Sequence, residues 1–115
     1  MTHKIILDTD PGIDDTMAIL FAEAHPVIDL LAITTVFGNA TIENGTRNAL
    51  WLKQKYGMKA DVAQGAAAPL LREPVGPTTV VHGPSGLGDV GAGEVTLTPD
   101  PRPAWQYIVE TLKAN

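Results

Sequence analysis

An open, mostly parallel α/β sheet is the fold class this sequence predicts. Three observations carry it. A short apolar run, Ile5-Ile6-Leu7, is followed by an acidic turn and then by apolar residues at helical spacing. A second run, Val27 to Val36, is apolar almost throughout, as suits a parallel strand covered on both faces. Strand, helix, strand, helix, strand is then the order of the first 63 residues, which is the pattern of a parallel sheet with crossover helices.

In the first unit, Asp8 and Asp10 close the strand, Pro11-Gly12 turns the chain, and Asp14 and Asp15 stand where a helix begins. Alternation along a strand puts Asp8 and Asp10 on one side. Asp14 and Asp15 are expected as cap and first-turn residue, where free N–H groups favour negative charge. The helix is expected from Asp15 to Ala24, apolar nearly all round and therefore buried, and His25-Pro26 stops it. After the second strand, Phe37-Gly38-Asn39 leads into a helix reaching about Tyr56. Its core contacts are Ile42, Ala49, Leu50 and Leu52, Gly45 permits close packing, and Gly57 is the C-cap. Asp61-Val62-Ala63 is a third strand. Gln64 to Pro103 is rich in Gly and Pro, and within it only Thr78 to Val81 reads as strand. A last helix opens with Pro103 as its first residue and carries an apolar stripe of Trp105, Ile108, Val109 and Leu112.

Length and composition bound the function. The 115 residues make one domain at most, with 44% apolar and 18% charged residues, a globular balance. A net charge of −5 argues against nucleic acid and anionic membrane surfaces as partners. Cysteine is absent, which removes disulfide and thiolate chemistry and fits a cytoplasmic location. No leader and no membrane-spanning run is expected.

The chemistry centres on Asp8, Asp10, Asp14 and Asp15. Four carboxylates within eight positions raise one another's pKa unless a cation joins them. Oxygen-only ligands select a hard ion, Ca²⁺ or Mg²⁺. The plainer reading is a solvated acidic turn that caps a helix. Asn39, with one donor and one acceptor group, falls at the carboxyl end of the second strand, where open α/β sheets bind ligands; it is equally suited to a turn or a helix cap. His82 lies in the irregular stretch, where a surface loop histidine is the ordinary expectation. Three motif matches fail. Gly86 to Gly91 satisfies G-x-G-x-x-G, but no helix signal follows it. Ser85 lacks the glycine a nucleophile elbow needs at Leu87. A calcium-binding EF-hand loop from Asp8 would need Gly at Ile13 and Glu at Ile19.

At these residues the chain resembles a known family. DTDPGIDD, Asp8 to Asp15, is similar to the N-terminal signature of the nucleoside hydrolases, the inosine–uridine-preferring type among them. VFGNATIENGTRNAL, Val36 to Leu50, and VHGPSGLGD, Val81 to Asp89, are similar to two further segments in the same order. The resemblance covers essentially the whole chain and only the N-terminal part of the family's domain. It implies that residues 1–115 are the N-terminal portion of a single Rossmann-like nucleoside-hydrolase domain, incomplete at the C-terminus. It implies hydrolysis of the N-glycosidic bond of ribonucleosides by a Ca²⁺-bound water. Asp10 and Asp15 would ligate the ion, Asp10 would also take the proton of the water, and Asp14 would bind ribose hydroxyls. Asn39 would orient water or sugar, His82 would lie near the base, and Asp8 would stand behind the ligands and hold them. The complete protein is expected to be a homo-oligomer, and the 115 residues alone are expected to be inactive. Two other readings stand beside this one. Asp8-Thr9-Asp10 also fits a Mg²⁺-dependent phosphatase resembling the haloacid dehalogenases, although Pro11-Gly12 departs from the Gly-Thr expected there. The other is a non-catalytic fragment.

Overall fold

The computed structural model describes residues 1–88, 90 and 93–115. Asp89 of the third family-like segment, and Asp89 and Gly91 of the G-x-G-x-x-G match, lie outside the described residues.

Three parallel strands, β1 (His3–Thr9), β2 (Ile28–Thr35) and β3 (Asp61–Gln64), form a sheet in the order β1-β2-β3. Helices α1 (Ile13–Ala24) and α2 (Ile42–Tyr56) make the first two crossovers, a short α3 spans Thr79–His82, and α4 (Ala104–Ala114) closes the chain. Because strand side chains alternate, the sheet feeds two cores. Ile5, Leu7, Leu30, Ile33 and Val62 pack with Ile19 of α1 and Ala49, Leu50 and Leu52 of α2. On the opposite face Ile6, Ala32 and Ala63 pack with Ala104 and Tyr107 of α4. Small residues at Ala32 and Ala63 bring α4 close, and Tyr107 Oη donates to Asp61 Oδ2 at 2.7 Å. Among the described residues no helix is long and apolar enough to cross a membrane.

The second helix matches its sequence reading closely. Ile42, Ala49, Leu50 and Leu52 are all buried, and Gly57 takes the left-handed conformation, φ +61°, that ends the helix. A methyl group on Gly45 would stand 3.4 Å from Pro11 Cδ, so α2 does rest closely on the acidic turn there.

Four expectations are corrected. First, α1 is one-sided: Ile19 and Ala22 are buried, whereas Met17 and Phe21 are 68% and 63% exposed, because the helix covers one face of the sheet and no described element covers its outer side. Second, the stripe on α4 faces outward in part. Trp105, Val109 and Leu112 are exposed, and Ala104 and Tyr107 are the buried contacts. Pro103 is the N-cap rather than the first helical residue. Third, Thr78 to Val81 is not a strand: its β-branched residues enter α3, and a Gly83 φ of +74° ends it. Tertiary contact overrides local β propensity there, since His82 docks on the acidic turn. Fourth, neither Asp14 nor Asn39 caps a helix. Gly12 caps α1 and Thr41 caps α2, its side chain accepting from Asn44 N–H at 3.2 Å.

Candidate functional site

The carboxyl ends of β1 and β2 lie side by side, and their loops build the site. Thr9 pairs with Thr35 in register, and Val36 N–H donates to Thr9 O at 3.0 Å. The next residues are Asp10 on one loop and Phe37-Gly38-Asn39 on the other. Asn39 N–H donates to Asp10 Oδ2 at 2.7 Å, a charge-assisted distance. Gly38 makes room for this. A methyl group there would lie 2.2 Å from the same oxygen and 2.8 Å from Asp10 Cγ.

Asp15 is held differently. It is the third residue of α1, and its Oδ2 accepts the Gly12 backbone N–H at 3.2 Å. Its Oδ1 accepts a short bond from the Thr9 hydroxyl. Thus one carboxylate satisfies an amide at the helix start and ties the helix back to the last residue of β1. Thr16 reinforces the turn, its hydroxyl donating to Gly12 O at 2.7 Å. Pro11 is fully buried beneath it.

The four aspartates therefore do not converge. Among the described residues no three acidic or histidine side chains come together to hold a metal ion. Asp8 accepts the Thr34 hydroxyl at 2.6 Å and lines a cavity of about 460 Å³ with Ile6, Leu31, Ile108 and Leu112, on the α4 side. Asp14 is exposed in the first turn of α1. Asp8 is thus engaged by Thr34, and Asp14 stands at the surface. What remains is a pair, Asp10 and Asp15. Both offer hard oxygen donors only, and Asp10 keeps Oδ1 clear of the bond to Asn39, so the pair fits part of the shell of a Ca²⁺ or Mg²⁺ ion.

His82 is brought to the same turn from the far side. It is 7% exposed, not a surface loop histidine. Its Nδ1 accepts the Ile13 N–H at 3.2 Å, one of the unpaired donors at the start of α1. The neutral ring then carries its proton on Nε2. A methyl group on Gly12 would lie 2.5 Å from Nδ1, so glycine is required for the ring to seat. Asn39 O accepts the Thr78 N–H at 3.1 Å, which binds the His82 segment to the β2 loop as well.

Sequence reasoning missed three contributors. Gly38 is invisible without knowing that Asp10 leans across it; its only signal is a glycine directly after an apolar strand. Thr9 reads as an ordinary β-branched strand residue. Asn48, fully buried in α2, donates to Pro11 O at 3.0 Å and Ser85 O at 2.9 Å; its signal is an amide among apolar neighbours in a helix.

With this geometry in hand, comparison with known proteins is direct. The family described as inosine-uridine preferring nucleoside hydrolase matches residues 5–115. The non-specific ribonucleoside hydrolase RihC of Escherichia coli (strain SMS-3-5 / SECEC) is 44% identical over 112 residues, covering 97% of this chain and 36% of that protein. The pyrimidine-specific ribonucleoside hydrolase RihB of Escherichia coli O17:K52:H18 is 41% identical over 113 residues, covering 98% and 36%. The structure of a purine-preferring ribonucleoside hydrolase from Gardnerella vaginalis superposes with a TM-score of 0.90 at 31% identity, covering 96% of this chain and 36% of that one. The chain thus spans about a third of the length of these relatives. The phosphatase reading of Asp8-Thr9-Asp10 is set aside, because the match extends through all three segments and both loops of the site. The chain belongs to the inosine–uridine-preferring nucleoside hydrolase family, of whose domain it corresponds to an N-terminal portion.

Proposed function

We propose that these residues serve the hydrolysis of ribonucleosides to ribose and free base, in a polypeptide long enough to complete the site. The observation that carries this reading is the placement of Asp10: one oxygen is fixed by Asn39 N–H in the gap at Gly38, and the other is left to act. Asp10 and Asp15 would hold Ca²⁺, which when bound lowers the pKa of water and polarises it. Asp10 accepts the proton of the water that attacks the anomeric carbon. Asp14, exposed at the start of α1, accepts hydrogen bonds from ribose hydroxyls. The Asn39 carboxamide orients water or sugar, and the Nε2–H of His82 is the donor available toward the base. Asp8 stays behind the site, braced on Thr34. Cleavage passes through an oxocarbenium-like transition state, as in other glycoside hydrolysis.

Base choice lies elsewhere. Relatives called non-specific, pyrimidine-specific and purine-preferring all match this same segment, so the segment serves mainly to hold the ion, the water and the sugar, with His82 as its contact toward the base. Two carboxylates are also short of the six to eight oxygens Ca²⁺ takes. For that reason residues 1–115 by themselves bind the ion weakly and release no ribose. The complete enzyme is a homo-oligomer of the cytoplasm.

The test is ribose release from inosine and uridine by the protein as its gene encodes it, with Ca²⁺ and after chelation. Asp10→Asn removes the base and half the ligand charge and lowers kcat by at least ~100-fold, the low end of what general bases contribute. Near-normal turnover of Asp10→Asn, or activity indifferent to chelation, overturns the assignment.

A further inference from the structure

Asn48 sits fully buried in the middle of α2. Both amide protons are used, on Pro11 O at 3.0 Å and on Ser85 O at 2.9 Å. Its Oδ1 is buried too and has no partner among the described residues. An apolar side chain of similar volume would fill the space and leave no unpaired acceptor on itself, so packing does not account for the residue. What the carboxamide has instead is two donors, and they reach two different segments. One is the acidic turn between Asp10 and Asp15. The other is the loop that follows His82. The orientation of the amide is fixed, because turned over it would aim Oδ1 at two carbonyl oxygens.

The surroundings are shaped to this contact. Three residues earlier on α2, Gly45 leaves Pro11 room to approach. Across from it, a methyl group on Gly86 would lie 3.0 Å from Asn48 Nδ2 and 3.1 Å from Ala40 Cβ, and the φ of Gly86, +88°, is one that side chains resist. Asn44 donates to Pro84 O at 3.1 Å, an outer contact to the same loop.

We propose that Asn48 is a positioning residue: by holding Pro11 O and Ser85 O in one carboxamide, it sets the acidic turn against the segment that carries His82. It touches no substrate. It keeps the Asp10–Asp15 pair and the imidazole in one spacing, and seats His82 Nδ1 against the Ile13 N–H. Its effect on turnover rests on the nucleoside-hydrolase reading; the tether itself does not.

The two are separated by measuring both. In the protein as its gene encodes it, ¹⁵N NMR of the His82 ring distinguishes a nitrogen that accepts from one that carries a proton. Wild type shows one tautomer, protonated on Nε2. Asn48→Asp keeps the shape without donors, and its two ring-nitrogen signals move toward each other as the tautomer preference is lost. Asn48→Ser keeps one hydroxyl donor and falls between, which decides the matter if Asn48→Asp does not fold. Leu52→Ala, a core truncation away from the turn, lowers stability and leaves the His82 signals in place. In turnover, Asn48→Ser loses kcat/KM for inosine by about tenfold to a hundredfold, mostly in kcat, as slight misplacement of catalytic groups does. Unchanged His82 signals or unchanged kcat in folded Asn48→Ser overturns the proposal. A wild-type protein that releases no ribose sinks the functional reading instead, and the NMR signals then decide the tether alone.

Discussion

Gly38→Ala separates the site from the fold more cleanly than any substitution of a charged residue. Its new methyl would lie 2.2 Å from Asp10 Oδ2, 2.8 Å from Cγ and 2.9 Å from Cβ. No real contact is that short, so something moves. The obstacle is a side chain, and the low-cost response is for the Asp10 carboxylate to swing away. It then gives up the 2.7 Å bond from Asn39 N–H. A hydrogen bond to a charged group contributes about 1.5–3 kcal/mol, and partial exposure of Asp10 lets water replace some of it, so the stability cost falls at about 1–2 kcal/mol. The functional cost is larger, because the group assigned as base and ligand no longer stands where both roles need it. Urea unfolding followed by circular dichroism gives the first quantity. The Ca²⁺ dependence of ribose release, in the protein as its gene encodes it, gives the second. The expected result is a small shift in midpoint with the slope unchanged, together with at least ~10-fold weaker Ca²⁺ dependence and a large fall in kcat. Wild-type turnover and Ca²⁺ dependence in Gly38→Ala would refute the claim that the bond from Asn39 holds Asp10 in its working position.

Other substitutions follow from the same structure. A methyl on Gly65 would lie 2.1 Å from Thr35 O, a backbone atom that cannot swing aside; Gly65→Ala therefore destabilises by about 1–3 kcal/mol as overpacking does, read as a lower urea midpoint, and an unchanged midpoint would contradict it. Leu52→Ala empties a fully buried position between α2 and the sheet and costs about 2–5 kcal/mol in the same measurement. A third prediction concerns pH. Asp100 accepts from the Arg102 side chain at 2.8 and 2.9 Å and from its backbone N–H at 3.0 Å, and these bonds lower its pKa from 3.8 to about 2. A lowered acid pKa means stability fully present above about pH 4 and lost as pH falls toward 2. Arg102→Ala should return the Asp100 carboxyl titration, followed by ¹³C NMR, to near its ordinary value and flatten the loss of stability across that window; an unmoved titration would remove Arg102 as the cause.

The parts of the fold that the sequence made legible are those decided locally. α2 is the clearest case: its buried stripe, its cap at Gly57 and the close approach at Gly45 follow from spacing and residue type alone. β2 was legible because a parallel strand covered on both faces is apolar on both. α1 and α4 were not legible in the same way. Apolar residues all round a helix say only that it has no polar face, and how many sides are covered depends on elements beyond the helix itself. Thr78 to Val81 reads as strand from its side chains, yet Thr79–His82 becomes α3 because His82 is drawn onto the start of α1.

The candidate site divides along the same line. Aspartate spacing pointed to the turn, but not to what each carboxylate does there. The structure gives Asp15 a largely architectural bond pattern, Thr9 on one oxygen and Gly12 on the other, and gives Asp8 to Thr34. Asp10 is the carboxylate whose only described partner is a single backbone amide from another loop. That difference ranks them. A group fully spent on structure can lend its outer lone pairs to a ligand, whereas a group held at one oxygen can also move a proton at the other. Asp15→Asn should then lower both stability and ion affinity, since it disturbs the start of α1 as well. Asp10→Asn should leave stability nearly unchanged and abolish turnover. Equal loss of stability in the two variants, by urea unfolding, would mean that Asp10 is as structural as Asp15 and that the division of roles is wrong.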